Sequence, residues 1–260
     1  SVVALDRRTD KMIAVGERAK LMYEKSDEND RPIIWAVSLG GAYAKLDNRN
    51  FTEPFVIDEI MNIGFSISHL RSLNGKWSIL IAAGAGIYMP NTRFSQINYK
   101  NILGNMGVIF IHHFKSNLEL GGGLAMNNSF GYPMLFPAIY FNWKTEGRYT
   151  VKIAMLKGIE ISAGYNIHKK LSLNFIIEMN GQMALLEQEG KNKIFTHQYI
   201  VTGIRPEIKI GKRLSIPITA GIHAMRPAEM VDRKLKSMFQ DKGYYFQIAP
   251  YVSTGLQIGF

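Results

Sequence analysis

The chain of 260 residues is 47% hydrophobic and carries a formal net charge of +10. Its mean hydropathy is -0.04, and it has no apolar run of the roughly 18 residues that a transmembrane helix needs, which excludes insertion into a membrane as apolar helices. The chain has no cysteine, which excludes disulfides, zinc–thiolate sites and cysteine nucleophiles. The cations fall mainly in predicted turns and loops, a pattern of solvated surface charge that does not indicate a nucleic-acid partner.

The first 31 residues differ in kind from the rest of the chain. The stretch from Asp6 to Glu28 is rich in charge and does not alternate between apolar and polar positions in the way a strand does. Arg31 and Pro32 mark a boundary before the first predicted strand. We interpret residues 1–31 as an N-terminal extension, with a loose tail, a short helix and a further strand pair as the alternatives.

Residues 32–260 divide into segments in which apolar and polar residues alternate. The period of two indicates β-strands, and there are about twelve of them, each long enough to cross a bilayer at a tilt. The predicted strands are 33–46, 59–71, 76–89, 102–115, 117–127, 133–144, 148–156, 159–168, 171–184, 196–211, 213–225 and 244–260.

Short and long connections alternate between these segments. The short connections are 72–75, 116, 145–147, 169–170 and 212. The long connections are 47–58, 90–101, 128–132, 185–195 and 226–243, with 157–158 as the exception. Short turns on one side and long loops on the other are typical of a membrane barrel made of strands.

The last predicted strand carries the most specific pattern. Tyr245 to Phe260 alternates almost without a break, and in a soluble protein it would be an unprotected apolar edge. This pattern resembles the last strand of bacterial outer-membrane β-barrel proteins, which typically ends in a C-terminal aromatic residue. The Lys, Asn and Ile content of the chain resembles that of uncharacterised outer-membrane barrels of the Bacteroidota type.

The resemblance implies an all-β fold, a transmembrane antiparallel up-and-down β-barrel of about twelve strands. It places the protein in the outer membrane of a Gram-negative bacterium, with residues 32–260 as the barrel and 1–31 as a periplasmic or lumenal extension. It puts Phe260 and the short turns on the periplasmic side and the long loops outside.

Aromatic residues support this orientation. They fall near the predicted periplasmic ends of strands, at the depth of the lipid headgroups, where such rings are favoured. The residues are Trp35, Trp77, Phe114, Trp143, Tyr149 and Phe260. The alternative, aromatic packing in the core of a soluble β-sandwich, does not explain the alternation of short and long connections.

The side chains predicted to face the lumen are small and polar in the early strands and charged in the later ones. The predicted lumen-lining charged residues are Lys152, Glu160, Glu178, Arg205, Glu207 and Lys209. Charges held away from lipid need partners or water. They form either a structural network of ion pairs between strands or the charged wall of a channel past which a hydrophilic solute moves.

The sequence does not indicate catalysis. A barrel hydrolase needs a serine or threonine close to a histidine that a third group orients. The best candidate is His223 with Thr219 on the same face, and no acid is placed beside it by its spacing. We therefore predict no catalytic residues and no enzymatic activity.

No metal or cofactor site is predicted either. His112 and His113 point to opposite faces of a strand and cannot share an ion. Gly121, Gly122 and Gly123 lie inside a strand, where glycines allow curvature or the close approach of neighbouring groups.

The longest loop, 226–243, has apolar residues at helical spacing between Glu229 and Phe239, which predicts a short amphipathic helix. It would form a lid over the rim, constrict the barrel mouth, contact a partner protein or bind lipopolysaccharide phosphates. The leading functional hypothesis is a narrow channel for small hydrophilic solutes. The first alternative is a non-transporting subunit or scaffold of an outer-membrane complex. A lipid-modifying enzyme ranks third. The expected partners are outer-membrane lipid, lipopolysaccharide and other outer-membrane or periplasmic proteins.

Overall fold

The computed structural model describes residues 2–4, 13–26, 32–45, 57–145, 147–155, 159–210, 214–239, 243–254 and 257–258. Within these ranges the chain consists of β-strands, three short 3-10 helices and their connections. No helix in this part of the chain is long and apolar enough to cross a membrane. Phe260 and its predicted terminal role lie outside the described residues.

The described residues form seventeen strands. In chain order they are β1 (Val2–Ala4), β2 (Ile13–Ser26), β3 (Pro32–Lys45), β4 (Glu59–Ser72), β5 (Trp77–Met89), β6 (Ile102–Lys115), β7 (Leu118–Asn127), β8 (Met134–Lys144), β9 (Tyr149–Met155), β10 (Ile159–His168), β11 (Leu171–Gln188), β12 (Lys191–Ile210), β13 (Leu214–Ala224), β14 (Arg226–Asp232), β15 (Gly243–Phe246), β16 (Ala249–Thr254) and β17 (Gln257–Ile258). The 3-10 helices are Phe94–Gln96, Tyr99–Asn101 and Leu235–Phe239.

The strands belong to one antiparallel, up-and-down sheet. From β2 to β13 each strand pairs with the next strand in the chain. After β13 the order changes, because β13 pairs with β16 and β17 while β14 pairs with the far half of β12 and with β15. The predicted all-β antiparallel class is confirmed.

The N-terminal residues contribute two strands to this sheet, in agreement with a further strand pair, one of the three alternatives for residues 1–31. β2 pairs with β3 over its whole length, from Ile13 opposite Lys45 to Ser26 opposite Pro32. Charged residues at 17 and 25 interrupt the apolar positions 13, 15, 19, 21 and 23 of the sequence, which hid the alternation. Backbone pairing along a whole neighbouring strand outweighs that weak pattern.

The short first strand has a partner on each side. In β1, Val2 lies opposite Ala14 of β2 and also opposite Ser253 of β16. β1 therefore lies between β2, from the N-terminal part of the chain, and β16, from its C-terminal part.

The two faces of the sheet differ in chemistry. On one face, which we call the apolar face, large hydrophobic side chains are exposed, among them Phe65 at 51% and Phe110 at 46%. Its exposed members include Leu39, Phe65, Ile67, Ile81, Met106, Phe110, Leu124, Leu135, Ile139, Phe175, Ile204 and Val252. On the opposite, polar face lie Ser66, Gly84, Asn105 and Glu119. An apolar surface this extensive is unlike that of a monomeric soluble protein.

The buried core lies on the polar face, towards the side of the sheet with the long connections. One cluster joins Ile57 and Ile60 at the start of β4 to Phe195 and Val201 of β12 and to Phe246. β11 also contacts β4 and β5. Since β4 and β11 are far apart in the strand order, the sheet must curve so that its polar face encloses these contacts.

One predicted long loop is a tight hairpin. We expected residues 185–195 to be a connection, but β11 and β12 continue pairing to Gln188 opposite Lys191. The two residues between them, Glu189 and Gly190, have φ angles of 54° and 71°. Positive φ at both positions is the signature of the type I′ turn, which suits the twist of a hairpin.

The predicted helix in the loop 226–243 was also wrong. Arg226–Asp232 is the strand β14, and only Leu235–Phe239 is helical, as a short 3-10 turn. Pairing with residues 193–197 of β12 explains the strand, because the extended hairpin offers β14 an edge that the sequence did not reveal. The predicted last strand 244–260 is likewise divided into β15, β16 and β17.

Candidate functional site

Four of the six charged residues predicted from the sequence form two ion pairs on the polar face. Lys152 of β9 donates to both carboxylate oxygens of Glu160 on β10, at 2.8 Å each. Their side chains are 44% and 38% exposed. This pair is therefore solvated and contributes little to stability.

The second pair is more buried and links three strands. Arg205 of β12 donates through both terminal nitrogens to Glu178 of β11, with Nη2 at 2.8 Å from Oε2. Its Nε donates to the hydroxyl of Thr219 on β13 at 2.8 Å. The side chains of Arg205 and Glu178 are only 21% and 19% exposed. A bidentate guanidinium–carboxylate pair fixes geometry as well as charge.

Glu207 and Lys209 lie on the same face of β12 as Arg205 and are half-buried. Within the described ranges neither side chain takes part in an ion pair. The backbone N–H of Lys209 donates to the carbonyl of Lys170 at 2.8 Å. The charges thus occur as separate pairs and single groups, which is closer to the structural interpretation than to a continuous charged wall.

The predicted catalytic candidate His223 is not arranged for catalysis. It is fully buried and packs between the rings of Tyr199 and Tyr251, each with its centroid 4.6 Å away. Among the described residues neither of its ring nitrogens has a hydrogen-bond partner. Thr219 is engaged by Arg205 instead. His223 is part of an aromatic core that also contains His197 and Phe246.

A different histidine has the hydrogen bonds that His223 lacks. Nε2 of His113, near the end of β6, lies 2.7 Å from the hydroxyl oxygen of Ser78 on β5. Nδ1 of the same ring lies 2.9 Å from Oε1 of Glu119 on β7. We call Ser78, His113 and Glu119 the hydroxyl–imidazole–carboxylate chain. Its two links have the geometry of a nucleophile, a base and an orienting acid.

The carboxylate of this chain is itself held in place. Tyr140 and Asn142 of β8 both donate to Oε2 of Glu119, at 2.8 and 3.0 Å. Oε1 of Glu119 thus faces His113, while Oε2 faces the two donors on β8. Glu119 is thus ordered by groups on both neighbouring strands.

Glycine makes room for this arrangement. Gly121 lies opposite Tyr140 in the register, and a Cβ there would be 2.7 Å from the carbonyl oxygen of Phe110 and 3.1 Å from Cβ of Tyr140. A Cβ at Gly123 would be 1.9 Å from the carbonyl oxygen of Val108. The prediction that these glycines allow close approach of their neighbours is confirmed for both positions.

Near the long connections, polar contacts on the polar face join strands that are far apart in the strand order. Lys100, before β6, donates to Glu187 of β11 at 2.6 Å, and Asn101 donates to the carbonyl of Leu185 at 2.8 Å. The hydrogen bond that Lys100 donates to Glu187 raises the pKa of Lys100. Leu185 and Ile194 of the hairpin pack with Leu103 of β6.

Arg233, just after β14, fixes the same region from the other direction. Its guanidinium donates to the carbonyl oxygens of Ser129, Lys100 and Asn128, each at 2.9 Å. We call residues 183–196, β14 and Arg233 the roof. It connects β11 and β12 to the loops before β6 and after β7, which belong to distant strands of the sheet.

The sequence could indicate the face on which residues of the hydroxyl–imidazole–carboxylate chain lie, but not that these residues contact one another. Alternation separates His113 from His112, which lies on the apolar face between Trp77 and Phe114 with ring centroids 4.6 and 4.3 Å away. Alternation also puts Glu119 on the face opposite to its apolar neighbours Leu118 and Leu120. The contact with Ser78 depends on the register of β5 against β6, which alternation does not define.

The fold and these polar groups define an all-β antiparallel protein with an exposed apolar face and an opposite polar face that holds a buried core. The chain belongs to the family described as a domain of unknown function (DUF6268), whose profile matches residues 4–259. No curated protein gives a significant match.

Among solved structures, the chain is similar to the siderophore receptor PirA from Acinetobacter baumannii, with 7% sequence identity and a TM-score of 0.30. The alignment covers 97% of this chain and 56% of the receptor. The chain therefore spans little more than half the length of that receptor.

Proposed function

We propose that the chain is an outer-membrane β-barrel whose interior is closed on the long-connection side, so that it is not an open diffusion channel. The apolar face of the sheet would contact the lipid, and the polar face would line the interior. Pairing of β1 with both β2 and β16 supports closure of the sheet, because a closed barrel leaves no edge strand in the bilayer.

The roof carries the functional part of the proposal. Its hairpin buries Leu185, Phe195 and Ile194 and bonds to Lys100 and Asn101 across the sheet. Arg233 adds three bonds to loops on that far side. A barrel mouth crossed by buried apolar side chains and by these bonds has no water-filled path for ions.

The polar face favours a role other than bulk transport. Barrels of intermediate strand number have room for a limited cavity rather than a wide pore. Ion pairs such as Arg205 with Glu178 occupy the interior on one wall. We infer a closed barrel that exposes an interior chamber at its short-turn side, in line with a non-transporting role in the outer membrane.

The second candidate is the narrow solute channel. Small or polar residues on the opposite wall, including Ser66, Ser68 and Gly84, favour it because they leave space along β4 and β5. For that function the roof would have to move away from the mouth.

Ion conductance separates the two candidates. The purified full-length protein is inserted into planar bilayers, and the current is recorded across a range of voltages. We expect no steady conductance from the wild type. In a variant that joins Met183 to Thr196 through an Asn-Gly turn, the roof hairpin is absent and we expect discrete conducting steps.

Steady conductance of the wild type at low voltage would contradict the closed mouth and support the channel. Arg233→Ala serves as a second variant if the shortened hairpin does not insert, since it removes three carbonyl bonds without altering a strand. We expect brief channel openings from this variant. If it shows as little current as the wild type, the role of Arg233 in the roof would be contradicted.

A further inference from the structure

We propose that Ser78, His113 and Glu119 hydrolyse carboxylic esters, with Ser78 as the nucleophile, at the short-turn end of the polar face. This activity goes beyond the proposed closed barrel. It also differs from the expectation, drawn from the sequence, that the protein is not an enzyme.

The hydrogen bonds of the three side chains define one arrangement of protons. Glu119 receives hydrogen bonds from Tyr140 and Asn142 at Oε2, so its Oε1 is left to accept from Nδ1 of His113. With the proton on Nδ1, the unprotonated Nε2 accepts from the hydroxyl of Ser78 at 2.7 Å. This is the tautomer that a general base next to a serine nucleophile requires.

The three residues lie together near one end of the strands. Ser78 and Glu119 are the second residues of β5 and β7, and His113 is the third from the end of β6. Each therefore follows or precedes a short connection. The side chains of His113 and Glu119 are 32% and 26% exposed, so the hydroxyl–imidazole–carboxylate chain reaches solvent on the side of the histidine.

Ser78 itself is 4% exposed. A nucleophile in that position is shielded from bulk water, and the partly exposed imidazole of His113 marks the side from which a substrate would reach it. This geometry limits the substrate to an ester whose carbonyl carbon reaches the hydroxyl past the imidazole. We therefore expect short-chain esters of small alcohols to react and bulky acyl groups to be excluded.

The reaction balances with water as the only co-reactant. The oxygen of Ser78 forms a bond to the ester carbonyl carbon while its proton passes to Nε2 of His113. The C–O bond to the alcohol then breaks, and the alcohol leaves with the proton from His113. A water molecule attacks the acyl–serine with His113 again as base, which releases the carboxylic acid and restores the Ser78 hydroxyl.

A merely structural hydrogen-bond chain is the competing explanation. The carboxylate of Glu119 is satisfied by Tyr140 and Asn142 whether or not Ser78 reacts. What separates the two is the reactivity of the Ser78 oxygen, because an unactivated serine hydroxyl does not react with a phosphonylating reagent at a useful rate.

The test uses the purified, folded full-length protein and a small alkyl fluorophosphonate, with the modified residue located by peptide mass spectrometry. We expect the adduct on Ser78. Its rate of formation should fall on the order of a hundredfold or more in His113→Ala, since general-base catalysis contributes that much. Hydrolysis of p-nitrophenyl acetate should fall in parallel in Ser78→Ala and His113→Ala.

His112→Ala is the matched control, because His112 is the adjacent residue and lies on the apolar face. It should label at the wild-type rate. Heat-modifiable migration on gels verifies that each variant is folded, and Glu119→Gln provides a second variant if His113→Ala does not fold. An unmodified Ser78 in the folded wild type, an adduct only on other residues, or labelling of Ser78 that does not depend on His113 or Glu119 would overturn the proposal.

Discussion

Individual charged residues on the polar face differ in how much they depend on their partners. Arg205 and Glu178 are mostly buried and joined by two parallel hydrogen bonds, whereas Lys152 and Glu160 are largely solvated. The sequence identified all four residues from alternation alone. It could not rank them, because exposure depends on contacts with side chains of other strands, such as Thr219 of β13, which accepts from Arg205.

This difference predicts unequal effects of removing one partner. Glu178→Gln leaves a buried guanidinium without its carboxylate and should lower the free energy of unfolding by about 3 kcal/mol. Glu160→Gln leaves Lys152 in contact with water and should cost less than about 1 kcal/mol. Urea unfolding in lipid vesicles, followed by tryptophan fluorescence, measures both.

The control for the buried pair is the double variant Glu178→Gln with Arg205→Met, which removes the unpaired charge as well. It should recover most of the stability that Glu178→Gln loses. Equal losses for Glu178→Gln and Glu160→Gln would contradict the assignment of one pair as buried and the other as solvated.

At the level of elements, alternation predicted the strands between β3 and β13 but not their ends. The tip of the β11–β12 hairpin was missed because Leu185 and Ile194 are buried there although their face is exposed in the rest of each strand. Burial on both faces removes the period-two pattern on which the prediction depends. β14 was missed for a related reason, since its partner is that same hairpin tip.

The glycines of β7 allow a test of strand contact. Gly123→Ala would place a methyl group 1.9 Å from the carbonyl oxygen of Val108. Because that atom is backbone and paired in the sheet, the strands would have to separate, and we expect a loss of about 3 kcal/mol or failure to fold. Gly122→Ala is the control, as its methyl would meet no atom within 4 Å and should change stability by less than about 0.5 kcal/mol.

Equilibrium unfolding of the two alanine variants in the same vesicles gives the comparison. If Gly123→Ala were as stable as Gly122→Ala, then β6 and β7 could not approach each other as closely as described. The hydroxyl–imidazole–carboxylate chain depends on that approach, because His113 and Glu119 lie opposite each other across these two strands.

For the whole molecule, the arrangement of the two faces matters most. A sheet with exposed Phe65, Ile67 and Phe110 on one side and an enclosed polar side is stable only if the apolar side is covered. Lipid covers such a surface in a barrel that has no edge strand. The sequence predicted the all-β antiparallel sheet and its two faces, but the roof and the hydroxyl–imidazole–carboxylate chain depend on strand registers and on contacts between distant strands, which alternation does not specify.

The most direct test of this account is a nitroxide scan of β4 in the protein reconstituted in lipid vesicles. The chain has no cysteine, so single cysteines at Phe65, Ser66, Ile67 and Ser68 can each be spin-labelled without background. Collision rates with oxygen, which concentrates in lipid, and with a water-soluble nickel complex are measured by electron paramagnetic resonance. We predict oxygen maxima at positions 65 and 67 and higher nickel-to-oxygen ratios at 66 and 68. Collision rates that do not alternate, or that alternate in the opposite phase, would contradict a membrane barrel with this apolar face on lipid.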